Sequence, residues 1–231
     1  MRQVLPSESR GAADHGWLQS RHTFSFAGYF NPQRMGFRNL RVLNDDRVAP
    51  GGGFGTHPHQ DMEIVSYVVS GALRHRDSMG NESVIRPGEV QRMSAGTGVR
   101  HSEYNDSTTQ PVRFLQIWIP PTERGLPPSY EQRDFGAERN GTLRLVASPD
   151  GAEDSLTLHA DARLYSAVLA PGDVVEHRFD AERRGWLQVV EGTVRVDGHE
   201  LAEGDALALA DEPSLILEAV ADANVLLFDL P

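Results

Sequence analysis

The stretch Tyr67-Val-Val-Ser-Gly71 is a short apolar run that ends in a glycine, and Gln188-Val-Val-Glu-Gly192 repeats this pattern later in the chain. A second shared pattern follows each of them. It reads Arg86-Pro-Gly88-Glu-Val in the first half and Ala202-Glu-Gly204-Asp-Ala in the second. Short apolar runs that end at glycine turns are typical of β-strands. Because both patterns recur in the same order, the sequence predicts a duplicated β-domain.

Similar apolar or alternating runs extend over the whole chain, for example at 40–43, 114–119 and 164–169. Turn-forming residues separate these runs, and the chain contains 22 glycines and 14 prolines. No segment keeps a helical period over three turns. These features predict an all-β fold of the sandwich or barrel type.

The proline-rich stretch from Pro120 to Tyr130 divides the chain. It contains four prolines, which favour an extended linker over a strand or helix. We therefore predict an N-terminal domain at residues 1–130 and a C-terminal domain at residues 131–231.

Charge and composition exclude several classes of function. Lys and Arg total 22 against 33 Asp and Glu, so the net charge is −11, which disfavours direct binding to nucleic acid or to an anionic membrane. The absence of cysteine excludes disulfides and iron–sulfur clusters, so any metal must be bound by nitrogen and oxygen. No run is long enough to span a membrane, and no apolar leader opens the chain, so we expect a cytoplasmic protein.

Two short histidine-bearing segments carry the chemistry that the sequence indicates. These are His57-Pro-His59 and His101-Ser-Glu103. Residues two apart on a strand face the same side, so each segment would present two donors to one side of its sheet. If the two strands are neighbours in one barrel, the donors meet at a single point. Three imidazoles and one carboxylate suit iron, manganese, cobalt, nickel or copper in a site with an open position.

The residues themselves leave the identity of the carboxylate open. Glu63 follows His59 by four residues and would share its face on a continuous strand, so either Glu63 or Glu103 could be the ligand. The other one could orient an imidazole from outside the coordination sphere.

The second half of the chain lacks this donor set. His101 and Glu103 lie 13 and 15 residues after Gly88. At the same distances after the equivalent Gly204, the second half has Leu217 and Ala219. His57 and His59 lie 14 and 12 residues before Gly71. At the same distances before the equivalent Gly192, the second half has Arg178 and Asp180, and His177 is one position away from the first of these. We therefore expect the C-terminal half to be metal-free and mainly structural.

The remaining histidines and the tryptophans receive no chemical role. His75 lies between two arginines near a turn, which predicts a solvated strand end. The sequence assigns packing roles to the tryptophans. It gives no function to four other histidines, which are His15, His22, His159 and His199.

With these residues identified, the first 120 or so positions resemble the pirin family of bicupins. The matching segments are Thr23-Phe-Ser-Phe26, Leu40-Arg-Val-Leu-Asn44, His57-Pro-His-Gln-Asp-Met-Glu63, His75-Arg-Asp-Ser78, Gly88-Glu-Val-Gln91, Met93-Ser-Ala-Gly96 and His101-Ser-Glu103. The resemblance implies two cupin barrels packed together, with a metal only in the first. It also implies the ligands His57, His59, His101 and Glu103 and a metal that is most often Fe(2+).

The resemblance further implies an activity. Some pirins are quercetin 2,3-dioxygenases, and the leading hypothesis is oxidative cleavage of a flavonol such as quercetin. The metal would act as a Lewis acid on the 3-hydroxyl, and Glu103 would be the catalytic base that takes its proton. Dioxygen would then add to the ring, with loss of carbon monoxide. The partners would be a small aromatic substrate and dioxygen.

Two alternatives remain at this point. The first is a non-enzymatic iron-binding interaction protein, whose acidic surface would favour a protein partner over DNA. The second is a cupin enzyme that acts on another small phenolic compound or on a sugar. Turnover of a phenolic substrate distinguishes the first alternative from the leading hypothesis.

Overall fold

The computed structural model describes all 231 residues and consists almost entirely of antiparallel strands. The chain forms two compact units. The first unit comprises residues 10–135 and 156–160, and the second comprises residues 1–9, 136–155 and 161–231. The helical residues form three short 3-10 segments, which are Ser7–Ser9, Gly136–Arg139 and Ala152–Asp154. No helix is long and apolar enough to cross a membrane.

The strands of the first unit form two sheets. The strands are β2 Gly11–Asp14, β3 Leu18–His22, β4 Val42–Val48, β5 Gly53–His59, β6 Glu63–Ser70, β7 Leu73–Asp77, β8 Glu82–Ile85, β9 Glu89–Ser94, β10 Val99–Asn105, β11 Val112–Ile119 and β12 Ser129–Asp134. The larger sheet has the order β12-β9-β6-β11-β4-β3-β2, and the smaller sheet has the order β5-β10-β7-β8. The two-residue strand β14 (Leu156–Thr157) also belongs to this unit by its contacts.

The strands of the second unit follow the same plan. They are β1 Arg2–Leu5, β13 Arg144–Ser148, β15 Arg163–Leu169, β16 Val174–Arg178, β17 Arg184–Glu191, β18 Thr193–Val196, β19 His199–Ala202, β20 Ala206–Leu209, β21 Ser214–Ala219 and β22 Ala223–Leu230. One sheet contains the run β1-β20-β17-β22-β15-β13, and the other has the order β16-β21-β18-β19. The four-stranded sheets match strand for strand, and the run of six strands matches the larger sheet of the first unit apart from β2, which confirms the predicted duplication.

The repeated glycines occupy equivalent turns. Gly71 and Gly192 both have a positive φ, of 79° and 78°, where they connect β6 to β7 and β17 to β18. A Cβ atom at Gly192 would lie 1.9 Å from the carbonyl oxygen of Asp222, and one at Gly71 would lie 2.6 Å from that of Pro111. Both positions therefore require glycine for conformation and for space.

A buried polar layer divides the interior of the first unit into two apolar clusters. One cluster contains Phe114 and Val68, and the other contains Ile64 and Met93. Between them, polar residues on five adjacent strands are paired directly across the larger sheet. This row comprises His22, Asn44, Gln116, Ser66 and Gln91, and all five are buried. Buried polar side chains are costly without a purpose, so this layer marks the region where function is to be sought.

The unit boundaries differ from the predicted division at residues 130 and 131. Strand β12 pairs along its length with β9, so the first unit continues to Phe135. The proline-rich stretch is also not a free linker. Leu126 accepts a hydrogen bond from the amide of Thr97, and Gly125 donates one to Asp61, so this stretch packs on the first unit.

Candidate metal centre

Strands β5 and β10 bring three of the predicted ligands together. The strands pair so that His57 lies directly opposite His101, and His59 lies opposite Val99. The ring centroids of His57 and His101 are 4.5 Å apart, and that of His59 is 4.9 Å from that of His101. One donor atom from each imidazole lies within 4.8 Å of the others. Such spacing fits a single transition-metal ion bound by three nitrogens.

The hydrogen bonds leave nitrogen lone pairs available in this cluster. His57 donates from Nδ1 to the carbonyl of Gly55 at 2.8 Å, which leaves Nε2 as an acceptor. The Nε2 atom of His59 and both ring nitrogens of His101 are buried without any hydrogen-bond partner. Buried polar atoms normally have a hydrogen-bond partner, so these unpartnered nitrogens are consistent with binding to an ion.

Burial also keeps the imidazoles neutral. Desolvation, with a contribution from the charge of His57, lowers the pKa of His59 to about 4. Desolvation and the neighbouring imidazoles lower the pKa of His101 to about 2. Only the neutral imidazole binds a metal, so both side chains are in the ligand form at neutral pH.

Glu103 is as deeply buried as His101, and each is 1% exposed. Its carboxylate accepts hydrogen bonds from the Ser66 hydroxyl at 3.1 Å and from the Gln116 side-chain amide at 2.8 Å. Desolvation, reinforced by the charge of Asp46 and opposed by these hydrogen bonds, raises the pKa of Glu103 to about 7. The carboxyl group is therefore held in the polar layer at a pKa suited to proton exchange near neutral pH.

Glu63, the alternative carboxylate, lies elsewhere. Strand β5 ends at His59 and β6 begins at Glu63, and the chain turns between them at Asp61, which has a φ of 48°. The Glu63 carboxylate accepts hydrogen bonds from the Ser94 hydroxyl and the His159 amide, at 2.8 and 3.1 Å. The assumption of one continuous strand is therefore wrong, and Glu63 is used in packing.

His75 was expected at a solvated strand end, and this prediction is wrong. Its side chain is fully buried, and its Nε2 atom lies 3.1 Å from the carboxylate of Asp77. Strand β7 places His75 opposite Glu103. One donor atom each of His75, His101 and Glu103 lie within 4.8 Å of one another. The two arginines alternate with Leu73, His75 and Asp77, and this alternation is the sequence signal that would have placed His75 on the inner face.

An aromatic-walled cavity of about 680 Å³ opens into the same unit. Its aromatic lining consists of Trp17, Phe26, Tyr29 and Phe54, and its polar lining includes Ser20, His22, Asn44 and Asp46. Asp46 is buried, and its Oδ1 atom has no hydrogen-bond partner. Desolvation, with a smaller contribution from the charge of Asp45, raises the pKa of Asp46 to about 7. A mostly apolar cavity with a few buried polar groups is typical of a small-molecule site.

A series of ring contacts runs from this cavity to the histidine cluster. The ring of Phe26 contacts that of His22 and that of Trp118, with centroids 5.4 Å apart in each case. Trp118 in turn lies 4.9 Å from His59. From the sequence, Trp118 is assigned only to packing, and no role is assigned to His22, which has no partner at ligand spacing along the chain.

The second unit has apolar side chains where the first has its donors. The pairing of β16 with β21 places Val175 opposite Leu217, as His57 lies opposite His101 in the first unit. The position of Glu103 is taken by Ala219, and these apolar residues belong to one continuous core. His177 returns to the register of His59 and bonds to Asp229 at 3.0 Å.

Comparisons with known proteins cover nearly the whole chain. The Pirin family model matches residues 4–119, and a model described as the quercetinase C-terminal cupin domain matches residues 145–230. A quercetin 2,3-dioxygenase of Escherichia coli (strain K12) is 51% identical over 225 residues, which are 97% of this chain and 96% of that protein. A pirin-like protein of Caulobacter vibrioides is 41% identical over 227 residues, 97% of each chain.

Two solved structures share the fold over its full length. The crystal structure of YhhW from Escherichia coli has a TM-score of 0.96 at 50% identity, covering 100% of this chain and 98% of that one. The structure of bacterial pirin YhhW in complex with nickel(II), also from Escherichia coli, has a TM-score of 0.95 at 50% identity, covering 100% and 99%.

Proposed function

Because the chain belongs to the pirin family, we propose that it is a metal-dependent dioxygenase that cleaves a flavonol such as quercetin. The observation that carries the proposal is the cluster of His57, His59 and His101, whose donor atoms lie within 4.8 Å of one another. The same unit contains an aromatic-walled cavity. We place the activity in the N-terminal domain and give the C-terminal domain a structural role.

His57, His59, His101 and Glu103 would hold the ion. The neutral imidazoles and their orphaned nitrogens support the first three of these assignments. A bound divalent ion supplies Lewis-acid character, which favours the ionised form of a hydroxyl group on the substrate. Nitrogen and oxygen donors of this kind accept several metals. We propose Fe(2+), with manganese, cobalt, nickel and copper as ions that the same donors would accept.

Glu103 would take the proton of the flavonol 3-hydroxyl. In the metal-free protein burial raises its pKa to about 7, so this carboxyl group takes up a proton more readily than an exposed glutamate does. Ser66 and Gln116 each donate a hydrogen bond to the carboxylate, and this fixes its orientation in the polar layer. The chain thus supplies an oriented base in a region from which bulk water is excluded.

The cavity would bind the aromatic part of the substrate. Its volume of about 680 Å³ lies within the range of about 300–1,000 Å³ that is typical for small-molecule sites. Trp17, Phe26 and Phe54 offer ring faces to a planar molecule. The unpartnered Oδ1 of Asp46 is placed to accept a hydrogen bond from a phenolic hydroxyl group.

The decisive experiment compares native protein and His101→Ala after loading with Fe(2+). Native protein should bleach the flavonol absorbance of quercetin with a matching consumption of oxygen. His101→Ala should lose this activity because it lacks a central ligand. Equal turnover by the variant, or no turnover of any phenolic compound by metal-loaded native protein, would show that the proposal is wrong.

A further inference from the structure

A buried carboxylate–histidine pair, Asp77 and His75, lies beside the centre and has no part in the function proposed above. Both side chains are fully buried, and His75 Nε2 lies 3.1 Å from Asp77 Oδ2. The following turn fixes the carboxylate. Its Oδ1 accepts from the amides of Met79 and Asn81, at 2.9 and 3.1 Å, and its Oδ2 accepts from Asn81 Nδ2 at 2.9 Å.

This anchoring determines the tautomer of His75. A carboxylate oxygen only accepts hydrogen bonds, so His75 Nε2 must carry the hydrogen and donate it. Nδ1 is then left with a lone pair, and this atom is buried without a hydrogen-bond partner. A buried acceptor without a donor destabilises a folded protein, so its presence indicates that a donor is supplied when the centre is complete.

His101 can supply that donor. Both of its nitrogens are buried without a partner, and an ion takes only one of them. The second nitrogen of a metal-bound imidazole carries a hydrogen and almost always donates it to an acceptor. One ring nitrogen of His75 lies within 4.8 Å of one ring nitrogen of His101, and the centroids of the two rings are 5.4 Å apart. The other nearby acceptor, Glu103, already accepts from Ser66 and Gln116.

We propose that Asp77 and His75 form a positioning pair for His101, in which His75 Nδ1 accepts the hydrogen bond from the nitrogen of His101 that does not bind the metal. This inference rests on the proposed metal centre. The pair would fix the ring orientation of His101 and strengthen it as a donor to the ion. His75 and Asp77 would therefore tune metal affinity without touching the ion or the substrate.

The test uses three variants and one matched control. His75→Leu removes the acceptor while retaining bulk, whereas His75→Asn restores an oxygen acceptor close to the position of Nδ1. In Asp77→Asn, the amide oxygen would keep the turn contacts to Met79 and Asn81. The amide nitrogen would then donate to His75 and reverse its tautomer. The control is His177→Leu in the second unit, where His177 bonds to Asp229 in a similar carboxylate–histidine pair.

The first measurement is the affinity for Co(2+), from competition with a chromophoric chelator. His75→Leu and Asp77→Asn should bind the ion about 10- to 100-fold more weakly than native protein, the usual loss when such a partner is removed. His75→Asn should recover most of the affinity, and His177→Leu should match native protein. Native protein that binds no Co(2+) at all would overturn the metal centre itself.

The second measurement is proton NMR of the Co(2+)-loaded protein, with histidine labelled by ¹⁵N. The ring N–H of His101 should give a shifted signal that exchanges slowly with water in native protein and in His75→Asn. In His75→Leu and Asp77→Asn this signal should exchange too fast to be seen. If both variants keep the signal and bind Co(2+) within twofold of native protein, while native protein binds normally, the positioning role is wrong.

Discussion

At the scale of single residues, the first unit contains two carboxyl groups that burial makes easy to protonate. These are Glu103 in the polar layer and Asp46 in the cavity wall, and each has a pKa raised to about 7. In both cases desolvation is the largest cause, because the charged form loses its hydration. The folded protein therefore keeps the charged form of these groups only at a cost in stability.

Asp46 gives a prediction about the pH dependence of stability. Its pKa is about 7 in the folded protein and 3.8 in the unfolded chain, so the folded state binds its proton more tightly. The contribution of Asp46 to stability is therefore greatest at acidic pH and falls as the pH rises from about 4 to 7. The loss is on the order of 4 kcal/mol above pH 7.

Asp46→Asn should remove this loss. The variant should gain stability relative to native protein as the pH rises from 5 to 8, and urea unfolding of the metal-free protein at both values measures the gain. The control is Asp222→Asn, at an exposed position in the second unit. A difference between Asp46→Asn and native protein that does not change with pH would show that Asp46 is not protonated in the folded state.

At the scale of elements, the centre depends on how closely β5 and β10 approach each other. The pairing is regular at His57 and His101 and shifts by one residue before Glu103. Gly53 permits this approach, because a Cβ atom there would lie 2.4 Å from the carbonyl oxygen of Glu103 and 2.6 Å from the Cα of Tyr104. These are backbone atoms, so relief requires the strands to separate.

Gly53→Ala should therefore weaken metal binding although it is four residues from the nearest histidine ligand. We expect a loss of about tenfold in affinity, equivalent to about 1.4 kcal/mol, because His57 and His101 move apart. Isothermal titration with Co(2+) measures this change. Gly55→Ala is the control on the same strand, since its Cβ atom would meet only the Tyr104 hydroxyl at 3.7 Å. Equal affinity in the two variants would contradict the argument.

At the scale of the whole molecule, one fold serves two purposes in the same chain. The row of Asn44, Gln116 and Ser66 in the first unit corresponds to Tyr165, Leu227 and Leu187 in the second. The first interior is divided by a polar layer, and the second is one apolar cluster of 16 buried residues. Apolar burial stabilises a fold, whereas buried polar groups reduce that gain, so stability and chemistry are divided between the two units.

Equivalent substitutions in the two units should have opposite effects. Leu217→Ala should destabilise the protein by about 2–5 kcal/mol, because it opens a cavity in a close-packed core, and should leave metal content at one ion per chain. His101→Ala should abolish metal binding with little effect on the stability of the metal-free protein. Thermal unfolding and elemental analysis check both. Two ions per native chain, or metal loss in Leu217→Ala, would contradict this division of roles.

The sequence alone determined the duplicated all-β fold, since turn glycines and apolar runs are local features that recur in order. It also determined the candidate ligands, because His57 and His59, and likewise His101 and Glu103, are two residues apart on a strand and so share a face. The family resemblance selected Glu103 over Glu63. The division of the chain could be placed only approximately, because the pairing of β12 with β9 depends on residues distant in sequence.

Only the tertiary structure decided the surroundings of those ligands. The turn at Asp61 removes Glu63 from the cluster, and a single backbone torsion there is not visible in the spacing of residues. His75 and Asp77 become neighbours of Glu103 and His101 through the register of β7 with β10, which connects positions more than 20 residues apart. Local patterns determine which face of a strand a side chain occupies, but cross-strand register determines which side chains meet on that face.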